Sequence, residues 1–121
     1  MNAIIFIAHG SKKEKSNNEF IELIGNVSKK DTNYQLKKAA FLEAASPSIE
    51  ACVEEFVKKE ASSICLYPFF LNSGKHVLID LPELLNKLKE EYPNVEFTLF
   101  DHFGKSDKIQ EIVLNDINKA H

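Results

Sequence analysis

The chain alternates between short apolar blocks and longer stretches in which apolar residues recur every three or four positions. Ala3-Ile4-Ile5-Phe6-Ile7-Ala8 is unbroken and rich in strand formers, and Ile64-Cys65-Leu66-Tyr67, with Phe69-Phe70-Leu71 beyond it, is similar. Tyr34-Gln35-Leu36-Lys37 and Val95-Glu96-Phe97-Thr98-Leu99 instead alternate apolar with polar. Unbroken runs suit strands covered on both faces, and alternation suits strands with one face toward water. The pattern predicts four strands, the first and third central and the second and fourth at the edges.

Between them lie four helical stripes. Phe20, Leu23, Ile24 and Val27 form one; Ile49, Cys52, Val53, Phe56 and Val57 a second. Leu81, Leu84, Leu85 and Leu88 make the third, and Ile109, Ile112, Val113 and Ile117 the fourth. Ser16-x-x-Glu19 and Asp80-x-x-Glu83 fit capping boxes, and Ser46-Pro47 reads as an N-cap followed by a first-turn proline. Strand–helix alternation implies right-handed crossovers and a parallel α/β sheet. With the two apolar strands in the middle, the order is 2-1-3-4, and the topological switch falls between strands 1 and 3. Residues 1–121 read as one domain, with no linker, repeat or low-complexity tract.

Ligands of open α/β sheets bind beyond the carboxyl ends of the strands at that switch. The segments placed there are Ala8-His9-Gly10-Ser11 and Pro68 to His76. Two of the four histidines, His9 and His76, therefore reach the crevice by topology alone, whereas His102 and His121 receive no such placement. Glu43, in Phe41-Leu42-Glu43 just past strand 2, belongs to the same end of the sheet. Gly10 would leave space beside the His9 imidazole. Two imidazoles and a carboxylate suit a borderline divalent cation such as Co2+, Ni2+, Fe2+ or Zn2+, and a neutral histidine also accepts protons near pH 7. Spacing leaves a plainer reading open: the three are far apart in sequence, and each is also compatible with a partly exposed loop residue or a solvated carboxylate.

Composition sharpens the boundaries of this reading. At 121 residues, with 44% hydrophobic and 27% charged positions, the chain is ordinary globular material. A radius of gyration of ~14 Å leaves little room for a deep pocket, so a large ligand would occupy a surface cleft or lie between subunits. Net charge is −3, which offers no global attraction for nucleic acid. Lys12, Lys13, Lys15 and Lys75 nonetheless make the crevice rim positive, with Glu14 set among them; they read either as contacts for a multiply anionic ligand or as ordinary solvated loops. The short apolar run at the N-terminus and the lack of any long apolar stretch predict a cytoplasmic protein with no membrane span. Cys52 and Cys65 read as buried thiols rather than as a disulfide or metal site. Gly10-Ser11-Lys12 lacks the upstream glycine of a P-loop, and with only four glycines no dinucleotide fingerprint is present. ATP- and NAD-dependent chemistry are accordingly disfavoured.

Three blocks resemble short-form sirohydrochlorin chelatases, the one-unit class II chelatases. Ala8-His9-Gly10-Ser11 with Asn17-Asn18 and Phe20 is similar to their opening, and Phe41-Leu42-Glu43 with Pro47 to their second block. Pro68-Phe69-Phe70-Leu71, Gly74-Lys75-His76-Val77 and Asp80-Leu81-Pro82 match the third and most distinctive one. The resemblance spans essentially the whole chain in order. It implies a chelatase-like (flavodoxin-like) three-layer α/β sandwich and ATP-independent insertion of Co2+, Fe2+ or Ni2+ into sirohydrochlorin, as in cobalamin or sirohaem biosynthesis. It further implies that His9 and His76 bind the incoming metal and assist removal of the pyrrole protons, with Glu43 near the metal path. Ser11, Lys12, Lys13, Phe70, Leu71, Ser73, Gly74 and Lys75 would bind the carboxylate-rich macrocycle, held between two copies of the chain in a homodimer. The metal would be substrate, with no permanently bound cofactor. The family's usual arginine after the glycine–serine pair is a lysine here, Lys12 or Lys13, which keeps charge but not bidentate geometry.

Two rival readings use fewer of these residues. A phosphohistidine carrier domain of the mannose phosphotransferase type needs only His9 and leaves His76, Glu43 and the Gly74–Pro82 block without a role. A non-enzymatic metal carrier keeps both histidines but predicts no change in an added tetrapyrrole. A histidine phosphatase is disfavoured because Ala8 stands where its Arg-His-Gly motif needs arginine.

Overall fold

The computed structural model describes residues 1–120, so His121 lies outside the described residues. β1 (Asn2–Ala8), β2 (Leu36–Phe41), β3 (Ser63–Pro68) and β4 (Glu96–Leu99) form one parallel sheet in the order β2-β1-β3-β4. The order follows from the contrast between apolar and alternating runs, as the pattern predicts. The helices are α1 (Glu14–Lys30), α2 (Ile49–Lys58), α3 (Leu81–Glu91) and α4 (Lys108–Asn118), with a π-helical turn (His76–Asp80) feeding α3 and a short 3-10 turn (Phe103–Lys105) before α4.

The period of two along β1 divides the core between the faces of the sheet. Ala3, Ile5 and Ile7 pack with Val53 and Phe56 of α2 and with Leu81 and Leu88 of α3. Ile4 and Phe6 pack on the other face with Phe20 and Ile24 of α1 and with Phe41. Ala3 to Ile7 are all buried, as a strand covered on both sides requires. β3 is less completely covered: Ile64, Leu66 and Pro68 are buried, but Cys65 and Tyr67 on the opposite face are half-buried. The reason lies in α4, which has no buried residue; Ile112, Val113, Leu114 and Ile117 are each at least 50% exposed. The fourth stripe is thus a helix, as its spacing predicts, but one whose apolar face is left bare. Leu23 and Val27 of α1 also stay exposed and line an open apolar groove of about 390 Å³ with Phe6, Tyr67, Phe69 and Phe103.

Four local expectations are corrected. β2 begins at Leu36 and runs to Phe41 instead of spanning Tyr34–Lys37. Its lysine- and alanine-rich composition favours helix, and tertiary contacts override it. Lys37 reaches the Ser28 and Asp31 carbonyls at the end of α1, and Lys38 pairs with Glu55 of α2 at 2.7 Å. Ser16 does not cap α1, because the helix already starts at Glu14 and the Ser16 N–H is spent on the Lys13 carbonyl. Ser48, not Ser46, caps α2 and accepts from the Ala51 N–H, since the chain remains extended through Pro47 to pair with Phe41 at the end of β2. Asp80 caps nothing: the chain enters α3 already helical, and the Leu81 N–H bonds to the His76 carbonyl.

Candidate metal centre

β1 and β2 continue their parallel hydrogen bonding one step beyond their ends, and this brings the first two functional side chains together. The Leu42 N–H bonds to Ala8 O at 3.0 Å and the Glu43 N–H to His9 O at 3.1 Å. Gly10 follows with φ +98°, and a Cβ there would lie 1.8 Å from the Glu43 carbonyl oxygen. The space left by the missing side chain is therefore filled by the Glu43 backbone, not by the imidazole. Only glycine permits this approach. The outcome is a hydrogen bond of 2.6 Å between His9 Nε2 and Glu43 Oε1, at the open mouth of the crevice.

His76 arrives from the other side of the switch point, at the start of the π-helical turn. Its ring stands edge-on to that of His9 with centroids 4.7 Å apart, and Phe70 stands edge-on to His9 at 6.4 Å. Among the described residues, His9, Glu43 and His76 form the one group of three such side chains whose ligating atoms all lie within 4.8 Å of one another. A divalent ion of borderline softness fits this donor set, with two imidazoles, one carboxylate and the solvent side open. His9 and His76 are brought together as topology predicts, and Glu43 joins them.

The residues assigned to macrocycle binding take several places. Asn17 clamps the loop after β1, accepting from the Ser11 N–H and donating to the Ser11 carbonyl. Ser11 and Lys12 line a cavity of about 270 Å³ with Asn17, Ala44 and Ser46, on the flank next to Glu43. Ser73 lines another, of about 440 Å³, next to His76 with Val77, Leu78, Asp101, His102 and Lys105. His102, which the sequence left unplaced, lines this neighbouring cavity. Leu71 is exposed, and its carbonyl packs on Gly104, where a Cβ would come within 1.5 Å. The Gly104 N–H also bonds to Phe70 O at 2.9 Å, so the Phe70–Leu71 loop is held against the 3-10 turn. Gly74, Lys13, Lys12 and Lys75 lie on exposed rim segments. Asp80 is the residue that sequence reasoning missed: its carboxylate accepts from His76 Nδ1 at 2.8 Å. The four-residue separation from His76 was a usable signal, masked by the resemblance to a capping box.

A doubly wound parallel α/β domain with two imidazoles and a carboxylate converging at its switch point defines an α/β protein with a candidate cation site there. The comparisons narrow this class: the chain belongs to the CbiX family, whose model matches residues 3–120. It is 31% identical over its whole length to the sirohydrochlorin ferrochelatase of Priestia megaterium, but covers 45% of that protein. It is 25% identical to the sirohydrochlorin cobaltochelatase of Saccharolobus solfataricus, covering all of this chain and 97% of that one. A crystal structure of a CbiX protein from Marinobacter aquaeolei VT8 superposes with a TM-score of 0.86 at 23% identity, over 99% of this chain and 97% of that one. The chain spans about half the length of the Priestia and Arabidopsis ferrochelatases it matches, and nearly the full length of the archaeal relative.

Proposed function

We propose that the protein inserts a divalent metal ion, Co2+, Fe2+ or Ni2+, into sirohydrochlorin without consuming a nucleotide. The observation that carries this reading is the His9–Glu43–His76 group at the crevice mouth, open to a flat ligand laid across it. The names of the ferrochelatase and cobaltochelatase relatives support it. Metal enters here as substrate. His9 and His76 hold the ion on one face of the macrocycle while its waters are shed, and each pyrrole N–H gives up its proton as a metal–nitrogen bond forms. The His9–Glu43 pair receives protons on the same side. Two protons leave and one M2+ enters, so the charge on the ring is unchanged and no nucleotide is needed to balance the exchange. A phosphohistidine at His9 is disfavoured, because Nε2 faces a carboxylate that would repel an incoming phosphoryl group.

The same reading assigns the rim lysines to the substrate carboxylates and a second copy of the chain to the opposite face of the macrocycle. The bare apolar face of α4 and the groove beside α1 support a dimer, since patches of this kind mark interaction surfaces. Anaerobic incubation with sirohydrochlorin and Co2+, followed by absorbance, tests the activity. His9→Ala and His76→Ala should lose insertion while keeping the fold. Either variant working at the unsubstituted rate would overturn the assignment, and metal binding with no change in the tetrapyrrole spectrum would favour a carrier.

A further inference from the structure

We infer that Asp80 is a positioning residue for His76: it fixes the imidazole as the Nδ1–H tautomer and turns the Nε2 lone pair toward the metal. The inference rests on the metal reading of the site and adds to it a residue from outside the ligand group. Two observations and one rule of hydrogen-bond chemistry converge on it. The Asp80 carboxylate lies 2.8 Å from His76 Nδ1. A carboxylate oxygen only accepts, so the hydrogen sits on Nδ1 and Nε2 is left as the ring's acceptor. The carboxylate makes no cap bond, although it stands directly before α3, so the imidazole is its partner.

The backbone explains why the pair forms. His76–Asp80 is one π-helical turn, closed by the Leu81 N–H on His76 O, and it runs straight into α3. A π turn holds one more residue than an α turn, so the side chains before it are rotated by about 100° relative to a continuous α-helix. Leu81 can then remain fully buried in the core while His76 faces His9 across the crevice. Residues four apart stay neighbours along such a turn, which leaves Asp80 beneath the ring. A carboxylate behind a metal-binding imidazole orients the ring and raises its basicity, and loss of such a partner costs about 10–100-fold in metal affinity.

The two histidines are thus held by their carboxylates at different nitrogens. His76 presents a lone pair before any metal arrives. His9 Nε2 is engaged with Glu43 at 2.6 Å, and the hydrogen between them has to leave before that nitrogen can ligate.

Long-range 1H–15N correlation spectra of histidine-labelled, metal-free protein, taken at alkaline pH where imidazoles are neutral, report the tautomer directly. Co2+ titrations followed by visible absorbance report affinity. The unsubstituted chain should show His76 as Nδ1–H. Asp80→Ala should shift it to Nε2–H, the form favoured by a free histidine side chain, and weaken Co2+ binding about 10–100-fold with the fold retained. Asp80→Asn keeps an oxygen acceptor, and should hold the tautomer and recover most of the affinity. An Nε2–H tautomer in the unsubstituted chain would overturn the inference, even if Asp80→Ala failed to fold. Equal Co2+ affinity in Asp80→Ala, or equal losses in both variants, would also overturn it. Failure of the unsubstituted chain to bind Co2+ would instead count against the metal reading, while the tautomer still decides the role of Asp80.

Discussion

Replacing Gly10 by alanine should damage the His9–Glu43–His76 group through the backbone, without touching any of its side chains. The new Cβ would stand 1.8 Å from the Glu43 carbonyl oxygen, 3.0 Å from its carbon and 3.3 Å from Phe41 Cβ. Comfortable non-bonded contacts lie near about 3.5 Å, so the Glu43 backbone has to retreat by more than ~1 Å. It is tied to His9 by its own N–H and follows Phe41, which is 1% exposed, so it cannot move freely. The positive φ of +98° adds its own penalty of about 1–2 kcal/mol for a residue with a Cβ. With overpacking at about 1–3 kcal/mol, the expected loss of stability is about 2–5 kcal/mol. Co2+ affinity should fall at least about tenfold, because Glu43 leaves His9. Gly25→Ala is the control: a Cβ there meets nothing within 4 Å on α1, so helix propensity should make it stabilising by about 0.5–1 kcal/mol. Urea unfolding and Co2+ titration of both variants check this. Gly10→Ala with stability and Co2+ affinity equal to the unsubstituted chain would refute the claim that Gly10 sets the position of Glu43.

Other outcomes follow from single local features. Glu60, at φ +65°, closes α2 in a Schellman motif, with its N–H on Val57 O and that of Ala61 on Phe56 O; Glu60→Gly should raise stability by about 1 kcal/mol, measured by thermal unfolding. The hydrogen bond from Lys38 lowers the Glu55 carboxyl below 4.5, so the stability this pair adds is present above that pH and is lost as pH falls through the lowered folded value. Glu55→Gln should flatten that acid limb, by less than about 1 kcal/mol because both groups are partly exposed. Burial pushes the Cys52 thiol up to about 11, so it should resist alkylation at neutral pH until the chain unfolds, as a mass-resolved labelling time course would show.

The sheet order was legible because β1 reads as one unbroken apolar run and the alternating segments mark the edges. From that order, the switch-point rule placed His9, Glu43 and His76 together, although 33 and 34 residues separate them in the sequence. The edges of elements were harder to read. β2 consists of residues that favour helices, and its strand form depends on Lys37 and Lys38 finding partners on α1 and α2, contacts with no local signature. The role of Asp80 was hidden for a related reason. A π turn carries no pattern of its own, and without it the same Asp-x-x-Glu spelling denotes a cap. The stripe on α4 shows the opposite limit: periodicity announces a helix with an apolar face but does not say what covers that face.

X-ray absorption at the cobalt edge of the Co2+-loaded protein tests the central claim most directly. The account predicts one ion per chain, with imidazole scattering from two histidines in the first shell. One imidazole should be lost in His9→Ala and one in His76→Ala. A shell of water and carboxylate oxygens alone, or an imidazole count unchanged in both variants, would contradict it.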